Sequence, residues 1–305
     1  MMTAWRIITV ALLLLFVTPL FFEGQVKANS GSDPNCFVGV TYGSDSVTGA
    51  KQLIDKVKGY TNLFVLDSWG ISGAPNSSAL DEICDYAYNA NMYIIVYFYM
   101  VYYNLTTNIG NLYNSSTWDI YGLSPWHISW LNTTRERWGD KFLGVYLYDE
   151  PGGKQIDRGY WGGSNVTVTG TPVRTFANVT GYADAANRYV SGVHRSRGMQ
   201  ILTNTSYPNG LNYTIPTFTT DYALYWFDYA AGYNVVFAEL GGDRGEGGVD
   251  SKIEQITLCR GAAEAQNKDW GAIITWASNN PPAPESGGSS SFAPLPERSA
   301  LPLCG

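Results

Sequence analysis

The chain has 305 residues, a formal net charge of −7 and few charged side chains, set against 22 Tyr and 10 Trp. No basic cluster stands ready to meet phosphates, which excludes nucleic acid as a partner. The length holds one barrel-sized domain, and the aromatic surplus suits a surface that meets sugar rings.

The first segment stands apart from the fold. Arg6 precedes an apolar run from Ile7 to Phe22, and Val26-Lys27-Ala28 then fits cleavage after a small residue. The run is short for a membrane span, so residues 1–28 read as a signal peptide. The protein is therefore expected to be secreted or extracellular, touching a membrane only through that segment. Sequons at Asn76, Asn104, Asn114, Asn132, Asn165, Asn178, Asn204 and Asn212 agree with export. Occupied ones must lie on the surface. All fall outside the expected strands except Asn204, at the end of one. Cys36, Cys84, Cys259 and Cys304 match no metal spacing. Export permits disulfides, and three pairings are open. Cys84 shares a helical face with Leu80, Ile83 and Ala87, the position of a buried core thiol.

Strand and helix patterns then alternate. Phe37–Thr41 reads as a strand, and Ala50, Leu53, Ile54 and Val57 mark a helical face. Asn62–Asp67 is a second strand, followed by a helix from Ser78 to about Asn91. Tyr93–Met100 is the third strand, and Ser124-Pro125 opens a helix running to about Trp138. Phe142–Tyr148 is the fourth. A polar stretch from Lys154 to Asn178 is too long for a plain connector, which points to a lid or binding loop. Tyr182, Ala185, Ala186, Tyr189, Val190 and Val193 mark a helix, and Gln200–Thr203 is expected as strand five.

Tyr222–Phe227 and Val235–Leu240 both look like strands, but a parallel crossover needs more residues than separate them. We therefore expect a helix to start at Thr219–Thr220 and to stop at Gly232. Strand six is then Asn234–Leu240 and strand seven Gly271–Trp276. Alternation of this kind makes an α/β fold, a (β/α)8-type TIM barrel over residues 36–280. Seven strands are countable, so the barrel is expected to be incomplete, its eighth βα unit missing. Residues 281–305, rich in Pro, Gly and Ser, read as a disordered tail.

The chemistry concentrates after strand four, where Asp149 and Glu150 precede Pro151-Gly152-Gly153. Carboxylates at strand carboxyl ends are where α/β barrels keep their active sites. Glu239 holds the matching place on strand six. Adjacent strand residues face opposite ways, so Asp149 and Glu150 share the barrel mouth only if the strand has already ended. In the TIM-barrel glycoside hydrolases that the Tyr148-Asp149-Glu150-Pro151 strand end resembles, hydrolysis needs one protonated acid and one carboxylate at the anomeric centre. Glu150 is the candidate general acid/base, with Glu239 as nucleophile or sugar-hydroxyl ligand. Tyr42, Asp67, Trp69, Tyr97, Tyr99 and Trp276 occupy rim or strand positions where sugars would bind.

The Tyr148-Asp-Glu-Pro151 strand end, Glu239 and the closing Ile273-Ile-Thr-Trp276 resemble TIM-barrel glycoside hydrolases. The chain also resembles secreted archaeal barrel proteins of that type with no assigned activity. The large retaining clan carries Asn-Glu on strand four and Glu on strand seven. This chain instead has Asp-Glu, and Glu239 on strand six. Asp-Glu on strand four also occurs in enzymes that use the substrate's own 2-acetamido group, which adds Asp149 to the candidates. The resemblance implies a carbohydrate partner, oligo- or polysaccharide, and no cofactor. A carbohydrate-binding or cell-surface barrel without catalysis is the alternative, since fold does not dictate function. His127 and His194 lie in expected helices far from strand ends, so no metal site is assigned.

Overall fold

Runs of Val, Ile and Phe bounded by turn signals bury both faces when they become inner strands of a parallel sheet covered by helices. The computed structural model describes residues 36–73, 77–98, 123, 125–153, 156, 180–240, 249–274 and 298–304. Strands β1 (Cys36–Tyr42), β2 (Leu63–Leu66), β3 (Tyr93–Tyr97), β4 (Phe142–Tyr146), β5 (Thr217–Asp221), β6 (Val235–Leu240) and β7 (Asp269–Ile274) follow one another around a barrel. Each runs parallel to the next. Between them lie α1 (Val47–Val57), α2 (Trp69–Ser72), α3 (Ser78–Asn89), α4 (Pro125–Trp138), α5 (Tyr182–His194), α6 (Arg197–Thr203), α7 (Tyr225–Ala231) and α8 (Val249–Gln266). The fold is thus the α/β barrel that the alternating pattern predicts.

Strand alternation sorts the apolar residues into two layers. Leu63, Val65, Ile95, Phe218, Val235, Phe237 and Ile273 fill the barrel interior. Phe64, Leu66, Ile94, Val96, Val145, Val236 and Ala238 face outward, against the helices. The helices answer with faces spaced by three and four residues: Ala50, Leu53, Ile54 and Val57 on α1, and Leu80, Ile83, Cys84 and Ala87 on α3. Ser46 caps α1, its hydroxyl accepting the Gly49 N–H at 3.1 Å. On α4, Trp130 and Trp138 bury their rings and hand their indole N–H groups to Asp81 and Asp85, both at 2.8 Å. Arg137 bridges the same two acids. Cys84 is the buried free thiol expected.

Two expected elements change places. Residues 197–203 form helix α6 rather than strand five, because Ser196, in an extended conformation, accepts the Met199 N–H and starts a helix. Strand five is Thr217–Asp221, across the expected helix start. Its β-branched threonines are fully buried, and Asn234 Oδ1 accepts both the Thr217 amide and hydroxyl. The following helix is shorter than expected but stops at Gly232, which takes φ +116°. Strand three ends earlier than the sequence pattern implies, at Tyr97, whereas the expected end of strand seven, 275–276, lies outside the described residues.

Among the described residues there is no eighth parallel unit, yet the barrel is closed. Residues Arg298–Cys304, in the supposed tail, form β8, antiparallel to both β1 and β7. Two facing edges of unpaired N–H and C=O groups create strong demand for such a strand. Pro302 hides it in the sequence. The register runs Phe37↔Leu303 and then Gly39↔Ala300, so the residue that cannot donate falls in a bulge. Cys36, whose register partner is Cys304, is disulfide-bonded, while Cys84 and Cys259 are free. The signal peptide, residues 281–297 and the stretch 157–179 lie outside the described residues.

A tie at the first strand limits the unfolded chain, so Cys36→Ser should lower stability by about 2–5 kcal/mol. The urea midpoint of wild type and variant, each with and without reductant, measures it. Identical midpoints throughout would mean that the bond constrains nothing.

Candidate functional site

The site begins with a defect in a strand. Between β3 and β4 the register passes from Ile94↔Phe142 to Ile95↔Gly144, leaving Leu143 as an extra residue. Such a bulge resets the alternation of everything after it. Leu143 packs on the barrel interior, and so does Tyr146, three positions later. Gly144 permits this: its φ is +151°, and a Cβ there would overlap the Pro216 carbonyl oxygen.

Beyond Tyr146 the chain leaves the strand but stays fastened to β5. Leu147 N–H donates to Phe218 O at 2.7 Å and Glu150 N–H to Thr220 O at 3.0 Å. Thr219 donates its hydroxyl to Tyr148 O, and Tyr233 donates to Leu147 O, both at 2.9 Å. Tyr148 and Glu150 take φ of +64° and +46°, conformations that cost non-glycine residues free energy and persist only when their surroundings impose them. The strand has therefore ended before the two acids, which the sequence left as a condition for both to reach the rim.

Asp149 joins the site through hydroxyls. Tyr146 donates to Asp149 Oδ1 at 2.9 Å and stands 2.6 Å from Thr220 Oγ1. The Thr220 hydroxyl lies 3.3 Å from Asp149 Oδ1 and 3.3 Å from Glu239 Oε2. Two carboxylates from β4 and β6 thus meet at one hydroxyl from β5, their nearest oxygens no farther apart than twice 3.3 Å. Tyr97 closes the β3 side with its ring edge-on to Tyr146, centroids 4.8 Å apart. Burial holds the Tyr146 hydroxyl well above its ordinary pKa, and the Asp149 and Glu239 charges push the same way, so it remains a donor at all ordinary pH values.

The expected residues fare unequally. Asp149, Glu239 and Tyr97 come together, and Glu150 occupies the adjacent turn. Tyr42 is buried, its hydroxyl donating to Ser46 O at 2.7 Å as a brace for the loop after β1. The Asp67 N–H continues that brace, donating to Tyr42 O at 2.8 Å. Trp69 begins α2. Tyr99 and Trp276 fall outside the described residues, as do Asn76, Asn104, Asn114, Asn165 and Asn178. Asn204 and Asn212 are exposed, Asn204 ending a helix rather than a strand. Asn132 sits within α4, its side-chain oxygen accepting the Asn212 N–H at 3.2 Å.

Tyr146 and Thr220 are the residues the sequence did not offer. His127 is buried, its Nε2 3.0 Å from Ser72 O, and desolvation drives its pKa down to about 3. Among the described residues no group of three or more His, Cys, Asp or Glu is arranged to hold a metal ion. Thr220→Val removes the hydroxyl that the two carboxylates approach while keeping the shape of the side chain. It should cost about 1.5–3 kcal/mol at neutral pH. The cost should shrink in acid, where protonated carboxyls no longer need the donor. Urea unfolding at two pH values measures both, and a cost independent of pH would mean that the hydroxyl does not serve the carboxylates.

No protein-family model matches this chain, and no curated protein matches it. Solved structures similar to it include two xylanases. One is TsXylA, an intracellular xylanase from Thermoanaerobacterium saccharolyticum, solved as a mutant in complex with xylotetraose. It shares 11% identity at a TM-score of 0.39, over 80% of this chain and 76% of that one. The other is a GH10 endoxylanase retrieved from sugarcane soil metagenome, with 10% identity and a TM-score of 0.40, over 80% of this chain and 71% of that one.

Proposed function

We propose that the protein is a secreted, carbohydrate-active barrel that hydrolyses glycosidic bonds with the carboxylates at the ends of β4 and β6. The observation that carries the reading is the meeting of Asp149 and Glu239 at the Thr220 hydroxyl, on the barrel rim. Hydroxyl donors favour the charged form of a carboxylate. Asp149 and Glu239 are therefore the groups to face positive charge developing at an anomeric carbon. Glu150, next on the same turn, is the general acid that protonates the leaving oxygen and the base that then takes a proton from the attacking water. Tyr97 borders the same rim as an aromatic contact for the sugar, with Tyr146 packed edge-on behind it.

The test is hydrolysis of aryl glycosides and polysaccharides by the exported protein. Asp149→Asn and Glu239→Gln should each lose at least about 100-fold in kcat on every substrate cleaved. Glu150→Gln should lose as much on natural glycosides but little on a dinitrophenyl glycoside, whose leaving group needs no proton. Equal loss on both would remove Glu150 from the acid role. Sugar binding without turnover across the whole panel would replace the enzyme with the non-catalytic barrel.

A further inference from the structure

Behind the rim lies a second pair of acids, Asp221 at the end of β5 and Asp228 in α7, both fully buried. Asp221 is richly supplied. Its Oδ1 accepts the N–H groups of Tyr222, Ala223 and Leu224 at 2.8, 3.2 and 3.4 Å, and its Oδ2 accepts the Gly153 N–H at 2.9 Å. Asp228 is not. Its Oδ1 accepts the Tyr189 hydroxyl at 2.5 Å, and among the described residues its Oδ2 meets no N–H or O–H donor. Beside it stands the Asp221 carboxyl, which becomes its hydrogen-bond partner once one of the two carries a proton.

The pair touches the turn that carries Asp149 and Glu150. A Cβ on Gly152 would lie 2.9 Å from Asp221 Oδ2 and 3.0 Å from Asp228 Oδ1, and Gly153 is tied to Asp221 by its N–H. Only a residue without a side chain lets the turn lie flat on both carboxyls.

We propose that Asp221 and Asp228 share one proton and act as positioning residues, a latch that holds the Asp149–Gly153 turn and releases it when that proton leaves. The proposal rests on reading this turn as the functional site. Asp228 holds the proton, because Asp221 has four backbone donors to stabilise its charge and Asp228 has one hydroxyl. Burying an ionised carboxylate without such help costs several kcal/mol, so Asp228 stays neutral. The groups acting on it are Asp221 on β5, Tyr189 on α5, Tyr225 and Tyr229 on its own helix, Tyr233 just beyond and Cys259 on α8. None of these is a cation. Burial, then the Asp221 charge, hold the Asp228 pKa well above the ordinary 3.8.

The sign follows. A pKa raised in the closed state gives stability that is complete below the ordinary value and is lost as pH rises towards the raised one. Opening the turn then releases one proton, so its protection should fall by up to tenfold per pH unit in that window.

Hydrogen exchange of the Glu150, Gly152 and Gly153 amides across pH, corrected for intrinsic rates, reads this out against amides of β2 and β3. Wild type should lose protection in the turn with rising pH, beyond any change in β2 and β3. Asp228→Asn, which mimics the protonated acid by offering N–H to Asp221 and oxygen to Tyr189, should keep the turn protected throughout. A pH-independent turn in wild type, or the same loss in Asp228→Asn, overturns the proposal. So does an equal loss in β2 and β3, the mark of a merely structural pair. Glycoside hydrolysis measured on the same samples separates the two readings. A pH-sensitive turn without turnover removes the enzyme and keeps the latch, whereas turnover with a pH-insensitive turn does the reverse.

Discussion

The contact of Gly144 with the Pro216 carbonyl governs the site. The two chains approach so closely there that no side chain fits, and the next ladder bond, Val145 N–H to Pro216 O at 3.0 Å, sets the pairing of β4 with β5. That pairing makes room for the bulge at Leu143, and the bulge decides that Tyr146 faces the barrel interior. Without it Tyr146 would face the helices and Asp149 would lose its nearest donor. A methyl group placed on Gly144 can therefore undo the arrangement of the carboxylates through strand parity alone.

The second organising fact is how much polar chemistry is buried behind the rim. Tyr189, Tyr225 and Tyr233 are almost wholly buried and cluster around two buried acids. A hydroxyl in that setting forfeits its hydration and must find a protein partner or leave a penalty of about 1–3 kcal/mol. Tyr189 and Tyr233 find Asp228 and Leu147 O, and the Tyr225 hydroxyl is left without one. An apolar layer would be more stable. The polar one fixes direction, since each hydrogen bond specifies where a loop atom must sit.

Much of this was legible in the residues. The apolar faces of α1 and α3, the Pro125 helix start, the Gly232 stop and the strand-end acids all obey local rules, and the structure follows them. Strand five was not legible, because Gln200–Thr203 and Thr217–Asp221 are both short and β-branched. A serine cap decided the first, and burial decided the second. Glu239 nevertheless kept its place on the sixth strand, since one misplaced strand stood in for another. The bulge was invisible, as no local preference of Leu143-Gly144 announces it, and with it went the inward turn of Tyr146. Thr220 was hidden by the same error as strand five. In β8, a Pro-rich composition concealed a strand that only the unpaired edges of β1 and β7 call for.

The closing strand also sets an order of events in time. β1 leaves the ribosome well before β8, yet each is the other's neighbour. Until residue 304 is free, seven strands can curl but cannot close, and the edges of β1 and β7 stay open to any passing chain. Contacts this distant in sequence form slowly. The nascent barrel therefore stays an unfinished sheet until β8 emerges, and its ring is completed in that step.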